Sequence, residues 1–432
     1  MALPIANHQN EFTSLDISFF TAISAVTVTG HTVVPTSTYW SGFGQGVIFL
    51  LMLVGGLGFM VVSTFLLLVI GQRSTLQERL MSSGFMRDTV GVEGMQGLRR
   101  IGRNVVLLVF VLYVLGTMGI FWQVRGLDGM GFGESLWKST FLSVSAFNNA
   151  GFNILPELPT GSSLARFATN PILLLMTTVL IVLGGLGWTV LLDIYRNRRF
   201  PRLGLDAKLV VVTSLALWGF GAVVLLIAEF SNPETLGSLG WADRVTGAVF
   251  GSASGRTAGF TTIDFADVRD ITKLTYTGLM FIGGGAGSVA GGIKVVTFAV
   301  IVAAVVSSLR GRSHAEAFGR EIHQSQLHRA LAVAVLGIGI SVLLVAVLTL
   351  TEKDVLIEKG ISFVDLLFDT VSALGTTGAS TGIVPDLTVG GKAIFMLAMF
   401  VGRLGPVTLA LTLVPREEAT VYRFVRERVK IG

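Results

Sequence analysis

Glycine carries the spacing that could do chemistry in this chain. It closes four short segments: Thr27-Val28-Thr29-Gly30, Asn148-Asn149-Ala150-Gly151, Arg256-Thr257-Ala258-Gly259 and Gly375-Thr376-Thr377-Gly378. Glycine permits backbone angles that turn successive carbonyls to the same side. If the four segments face one axis, their carbonyl oxygens can replace the water shell of a cation. No Asp or Glu stands at the four matched positions. A ring of backbone carbonyls without carboxylates suits a dehydrated monovalent cation better than a divalent one.

A second pattern follows each segment: Gly55-Gly56-Leu57-Gly58, Gly184-Gly185-Leu186-Gly187, Gly284-Gly285-Ala286-Gly287 and Gly402-Arg403-Leu404-Gly405. Two matched patterns in the same order, four times over, mark an internal repeat. The third copy sits in an unusual stretch. Gly283, Gly284, Gly285, Ala286, Gly287 and Ser288 are followed by Gly291, Gly292 and Lys294. Each Gly in a helix interior costs roughly 1 kcal/mol relative to Ala, so a helix is expected to break here. A close small-residue helix contact accounts for one or two of these glycines, not for six. Arg403 stands where the other three copies have the second Gly of the pattern, deep in an apolar segment. A central Arg costs roughly 2.5–3.5 kcal/mol on insertion scales, so it must face protein or water.

The elements that position these residues are membrane helices. Of 432 residues, 51% are hydrophobic and 14% charged, too little charge to cover a soluble protein of this size. Apolar runs at Val47–Ile70, Val105–Trp122, Ile172–Leu192, Leu209–Ala228, Val295–Val306, Leu331–Leu350 and Ala393–Leu413 are mostly long enough to span. Four short amphipathic helices, at Leu15–Val26, Leu136–Phe147, Ala242–Ser254 and Phe363–Leu374, lead into the glycine segments and are too short to cross. They are read as re-entrant, which requires protein or a watery cavity around them. Their C-terminal ends, partially negative, would then aim at the membrane centre and favour a cation. The net charge of +5 is a topology signal rather than a nucleic-acid one. Basic stretches at Arg73–Arg103, Arg196–Lys208, Arg310–Arg329 and Arg416–Lys430 place those loops in the cytosol and the N-terminus outside. With no Cys, disulfides and thiolate sites are excluded.

The filter-like segments, Gly283–Lys294 and Gly402-Arg403-Leu404-Gly405-Pro406 together resemble the Trk/Ktr/HKT superfamily of potassium transporters, and most closely its KtrB-type (TrkH family) membrane subunit. The resemblance covers nearly the whole chain. It implies an all-α polytopic membrane fold of four pseudo-repeats, each outer helix, pore loop and inner helix, around a central ion pore. The expected divisions are 1–72, 73–202, 203–312 and 313–432, the last with the basic tail. Only some fifteen residues precede the first short helix, so the first outer helix is expected to be missing. The transported ion implied is K+, bound by the backbone of the four segments, often with Na+ stimulation of uptake. No covalently bound cofactor is implied. Expected partners are membrane lipid, a second copy in a homodimer, and a cytosolic nucleotide-binding regulatory subunit of the KtrA or TrkA kind.

In that family the stretch matching Gly283–Lys294 is an intramembrane loop obstructing the pore below the filter. Arg403 would hold it through its freed carbonyls, a structural ion pair being the competing reading. Lys294 would face the cytosolic mouth or snorkel. Arg256 would brace the filter from behind. Asp365 and Asp369 either attract cations from outside or cap and pair locally. His31 reads as a mouth or packing residue, and His314, His323 and His328 have no convincing metal spacing. The Arg-rich tail would dock the regulatory partner, lie solvated or touch anionic lipid. The competing function within transport is a sodium-permeable or weakly selective path on the same fold. A secondary transporter would show inverted repeats, and a membrane enzyme would need a catalytic constellation that is not visible.

Overall fold

The computed structural model describes residues 1–71, 93–156 and 163–405, with side chains omitted for 61–101. The expected domain junction at 72/73 and the basic tail from Arg416 lie outside these residues. The described chain is almost wholly helical, apart from a small antiparallel pairing of Glu316–Ala317 with Arg320–Glu321. In order, the helices are α1 (Leu15–Val26), α2 (Gly42–Gly71), α3 (Glu93–Val124), α4 (Phe132–Phe147), α5 (Pro171–Leu186), α6 (Trp188–Asn197) and α7 (Leu205–Glu229). Then follow α8 (Trp241–Thr257), α9 (Asp270–Phe281), α10 (Val295–Leu309), α11 (Gln324–Thr351), α12 (Phe363–Gly375) and α13 (Val389–Leu404).

Among the described residues, segments Gly42–Met60, Gly102–Val124, Leu205–Glu229 and Gln324–Thr351 are long and apolar enough to cross a membrane. Their outward faces are lined with exposed Leu, Val and Phe, such as Leu107, Phe110, Phe220 and Val342, a surface stable only against lipid. The chain is a multi-pass membrane protein.

The run Ile172–Leu192, expected as one span, is instead α5 and α6 bent by 97° at Gly187. Gly187 has φ 88° and ψ 146°, far from helical values. The stretch Gly283–Lys294 separates α9 from α10, as its glycine content predicts.

The short helices α1, α4, α8 and α12 form the centre. Each packs against the inner helix that follows it and against the preceding one around the ring. Thus α4 touches α5 and α2, α8 touches α9 and α5, α12 touches α13 and α9, and α1 touches α2 and α13. Their buried faces carry Phe20, Phe141 and Phe368, three aromatic residues that stand four before a Ser, on the same side of each helix.

Candidate permeation site

The four segment-closing glycines meet. Gly30, Gly151, Gly259 and Gly378 all have positive φ, at 93°, 72°, 72° and 83°. A Cβ on Gly30 would overlap the carbonyl oxygen of Ala150; on Gly151, that of Ala258; on Gly259, that of Thr377; on Gly378, that of Thr29. The succession closes on itself. Each glycine lies against the carbonyl of the residue before the glycine in the next segment.

Local hydrogen bonding fixes the backbone just before each glycine. The backbone N–H groups of Thr29, Ala150 and Thr377 donate back to the carbonyls of Ser24, Ser145 and Ser372, at 2.8, 2.8 and 2.9 Å. Val28, Asn149 and Thr376, one residue earlier, are left-handed at φ 57°, 56° and 49°. That conformation is costly for a residue with a Cβ, and is held here by the bond in each segment and the packed surroundings. The third segment differs. Arg256 and Thr257, expected as extended, are the last two residues of α8, and the N–H groups of Ala258 and Gly259 both donate to Ser254. Ser254 lies five residues before its glycine, where the other three Ser lie six before theirs, so one residue less remains to unwind. Gly375 is likewise the last helical residue of α12 rather than an extended one.

The two repeated glycine patterns are in contact, which accounts for their paired spacing. A Cβ on Gly55, Gly184 or Gly402 would overlap the carbonyl of Val26, Phe147 or Leu374. Those are the carbonyls four residues before Gly30, Gly151 and Gly378. The inner-helix glycines therefore admit the descending ends of the short helices.

Side chains tie neighbouring segments together. Asn148 accepts from the Tyr113 hydroxyl at 2.9 Å and donates to the Met52 carbonyl at 3.3 Å. The Asn149 amide and the Thr257 hydroxyl are hydrogen-bonded at 3.0 Å. Thr377 Oγ1 donates to the Arg256 carbonyl at 3.2 Å. Thr27 turns its hydroxyl back onto the Ile23 carbonyl. The buried Arg256 guanidinium lies 5.1 Å from the Trp218 ring centroid and donates to the Gly283 carbonyl at 3.3 Å. It thus stands behind the ring and touches the 283–294 loop.

That loop is docked on the bend of α5. Gly285 N donates to the Gly185 carbonyl at 2.8 Å and Val289 N to the Gly184 carbonyl at 3.3 Å. Both acceptors are freed because the helix stops at Leu186. Gly187 leaves room for the Ala286 carbonyl, and Gly291 for the side chain of Thr376. The loop stem is a backbone bridge between Ile282 and Ile293. Gly287 and Gly292 have positive φ, and Ser288 is fully buried.

Arg403, also buried, reaches this loop from α13. It donates to the Val289 carbonyl and, at 2.7 Å, to the Gly55 carbonyl on α2. Lys294, half-buried, donates from its Nζ to the Ala290 carbonyl at 2.6 Å. Phe59 of α2 lies beneath both cations, 4.3 Å from Arg403 Cζ and 5.7 Å from Lys294 Nζ.

On the other side of the ring a cavity of about 260 Å³ is lined by all four glycines with Asn153, Ser163, Thr261, Ser380 and Asp264. Asp365 and Asp369 are occupied locally. Asp365 caps α12 in a reciprocal box with Ser362 and pairs with Lys273 at 2.7 Å. Asp369 accepts from the Ser380 hydroxyl, the Thr381 N–H and the Thr381 hydroxyl, fixing the chain beyond Gly378. His31 is buried edge-on to Phe395. Sequence reasoning missed Tyr113, Met52, Trp218 and Phe59. Each belongs to another element, and only the Phe59 position, next to Gly58, lay beside a recognised pattern.

A family model described as TrkH, cation transport protein, matches residues 2–420. The chain is 37% identical to the Ktr system potassium uptake protein B of Bacillus subtilis, over 94% of this chain and 87% of that one. It is 32% identical to the potassium/sodium uptake protein NtpJ of Enterococcus hirae, covering 100% of this chain and 93% of that one. The crystal structure of the potassium transporter TrkH from Vibrio parahaemolyticus has the same fold, with TM-score 0.68 at 19% identity over 94% of this chain and 79% of that one. Helices, ring and similarity agree: this chain belongs to the TrkH family of cation transport proteins, integral membrane transporters rather than enzymes.

Proposed function

We propose that this protein carries potassium ions into the cell as the conducting subunit of a Ktr/Trk-type uptake system. The observation that carries the reading is the closed ring of Gly30, Gly151, Gly259 and Gly378 with the carbonyls of Thr29, Ala150, Ala258 and Thr377. Four helix C-termini aim at one point, each with partial negative charge, and carbonyls from four segments are available to replace water around a bare cation. The divisions 1–72, 73–202, 203–312 and 313–432 are then four pseudo-repeats about that axis.

The loop Gly283–Lys294 is the gate. It is buried below the ring, and backbone hydrogen bonds to α5 and the Arg403 side chain hold it. Uptake assembles on a homodimer with a cytosolic nucleotide-binding subunit; the Ktr system names of the relatives support a system of more than one component. A sodium-permeable path is the second reading, prompted by the potassium/sodium name of the Enterococcus hirae relative.

Rubidium-86 uptake by the purified chain in liposomes, with and without sodium, separates the two. Saturable Rb+ uptake that excess Na+ fails to suppress is expected, and Na+ competing on equal terms would establish the second reading. Arg403→Ala, and separately deletion of residues 284–291, should raise Rb+ flux. Unchanged flux in both variants would remove the gate assignment.

A further inference from the structure

We propose that Phe59 is a positioning residue that holds the intramembrane loop shut, its ring face binding Arg403 and Lys294 together. The inference rests on the gate reading above and deepens it.

Two like charges converge here in a region of low dielectric, and neither forms an ion pair with a described residue. Their negative partners are backbone carbonyls and one aromatic face. Arg403 takes the Val289 carbonyl and Lys294 the next one, Ala290. Both cations therefore grip consecutive loop residues, yet nothing in those bonds opposes their mutual repulsion. The Phe59 ring does, lying 4.3 Å from Arg403 Cζ and 5.7 Å from Lys294 Nζ. A benzene face carries the negative lobe of a quadrupole and attracts cations within about 6 Å of its centroid.

Position in the helix reinforces the point. Phe59 stands four residues after Gly55, on the same face of α2, and Gly55 supplies Arg403's second carbonyl. One face of α2 thus offers an acceptor and a π-surface to one guanidinium. Three chain segments meet there: α2, the 283–294 loop with its Lys294, and α13. If the ring's electrostatic face is lost, Arg403 and Lys294 repel and the loop loses its tie to α2. A Leu at this position fills space without that face.

The test is rubidium-86 uptake by the full chain in liposomes, with gel filtration confirming folded protein. Phe59→Leu should raise uptake about tenfold, toward the level of Arg403→Ala, while Phe59→Trp should stay near the parent. The double variant Phe59→Leu/Arg403→Ala should not exceed Arg403→Ala alone, because the two act as one unit. Replacement of Phe59 by mono-, di- and trifluorophenylalanine holds ring shape nearly constant while draining the quadrupole, so flux should climb stepwise with fluorine count. Flat flux across that series, with Arg403→Ala still raised, would overturn the role of Phe59 and leave the gate standing. If Arg403→Ala and the loop deletion are also without effect, the gate reading fails and this inference with it.

Discussion

Replacing Gly378 by Ala tests the ring at one of its four joints. The backbone there has φ 83°, where a Cβ costs roughly 1–2 kcal/mol. The added Cβ also overlaps the carbonyl oxygen and carbon of Thr29, so that carbonyl must leave its place. A control separates the two costs. Gly126 has φ 80° with open space around its missing Cβ, so Gly126→Ala carries the strain without the displacement. A cation that loses one well-placed oxygen forfeits about 1.4 kcal/mol or more of its preference, or roughly tenfold in discrimination. Rb+ uptake in liposomes against increasing Na+ reads this directly. Gly378→Ala should cut the preference for Rb+ over Na+ about tenfold, and Gly126→Ala should leave it unchanged. Full preference in a well-folded Gly378→Ala protein would refute the idea that these carbonyls select the ion.

Two further outcomes follow from the cavity and its walls. Asp264 is the carboxylate among the described residues that line the cavity; burial first, then the charge of Asp267, raises its pKa, against opposing pulls from the Ala266 N–H and Lys273. Asp264→Asn should raise the half-saturating Rb+ concentration at low ionic strength and not at high salt. In the parent that advantage should be full above the raised pKa and fade as pH falls through it, while the Asn variant stays flat; equal pH profiles would exclude the role. Asp369→Ala orphans the buried Thr381 N–H and the hydroxyls of Ser380 and Thr381, at about 1–3 kcal/mol for each group left unsatisfied. A lower thermal midpoint in detergent and reduced Rb+ preference are expected, and an unchanged midpoint would show the contacts to be dispensable.

The ring and the loop were legible in the sequence because both depend on glycine, whose conformational freedom leaves a mark at fixed spacing. Helix α1 falls on its expected bounds for a similar reason, since apolar periodicity stops where Thr27 begins the turn. The bend at Gly187 was not legible. Gly55-Gly56-Leu57-Gly58 and Gly184-Gly185-Leu186-Gly187 read the same, yet Gly58 stays helical and Gly187 does not. What differs is a neighbour distant in sequence, the loop that sets Ala286 O into the space a Gly187 Cβ would take and draws on the Gly184 and Gly185 carbonyls. The helical ending of the third segment could have been read from the shorter Ser254–Gly259 interval. The tie from Asn148 to Tyr113 and Met52 could not, because neither partner stands in a repeated pattern. That Lys294 would meet Ala290 and Phe59 was not legible either, for want of the same tertiary information.

Where the ion sits decides whether the glycine ring is the filter. Anomalous diffraction from crystals grown in Rb+ should place peaks on the axis inside the ring, within coordination distance of the carbonyls of Thr29, Ala150, Ala258 and Thr377, and Na+ in place of Rb+ should abolish them. An empty axis, with Rb+ bound only elsewhere, would contradict it.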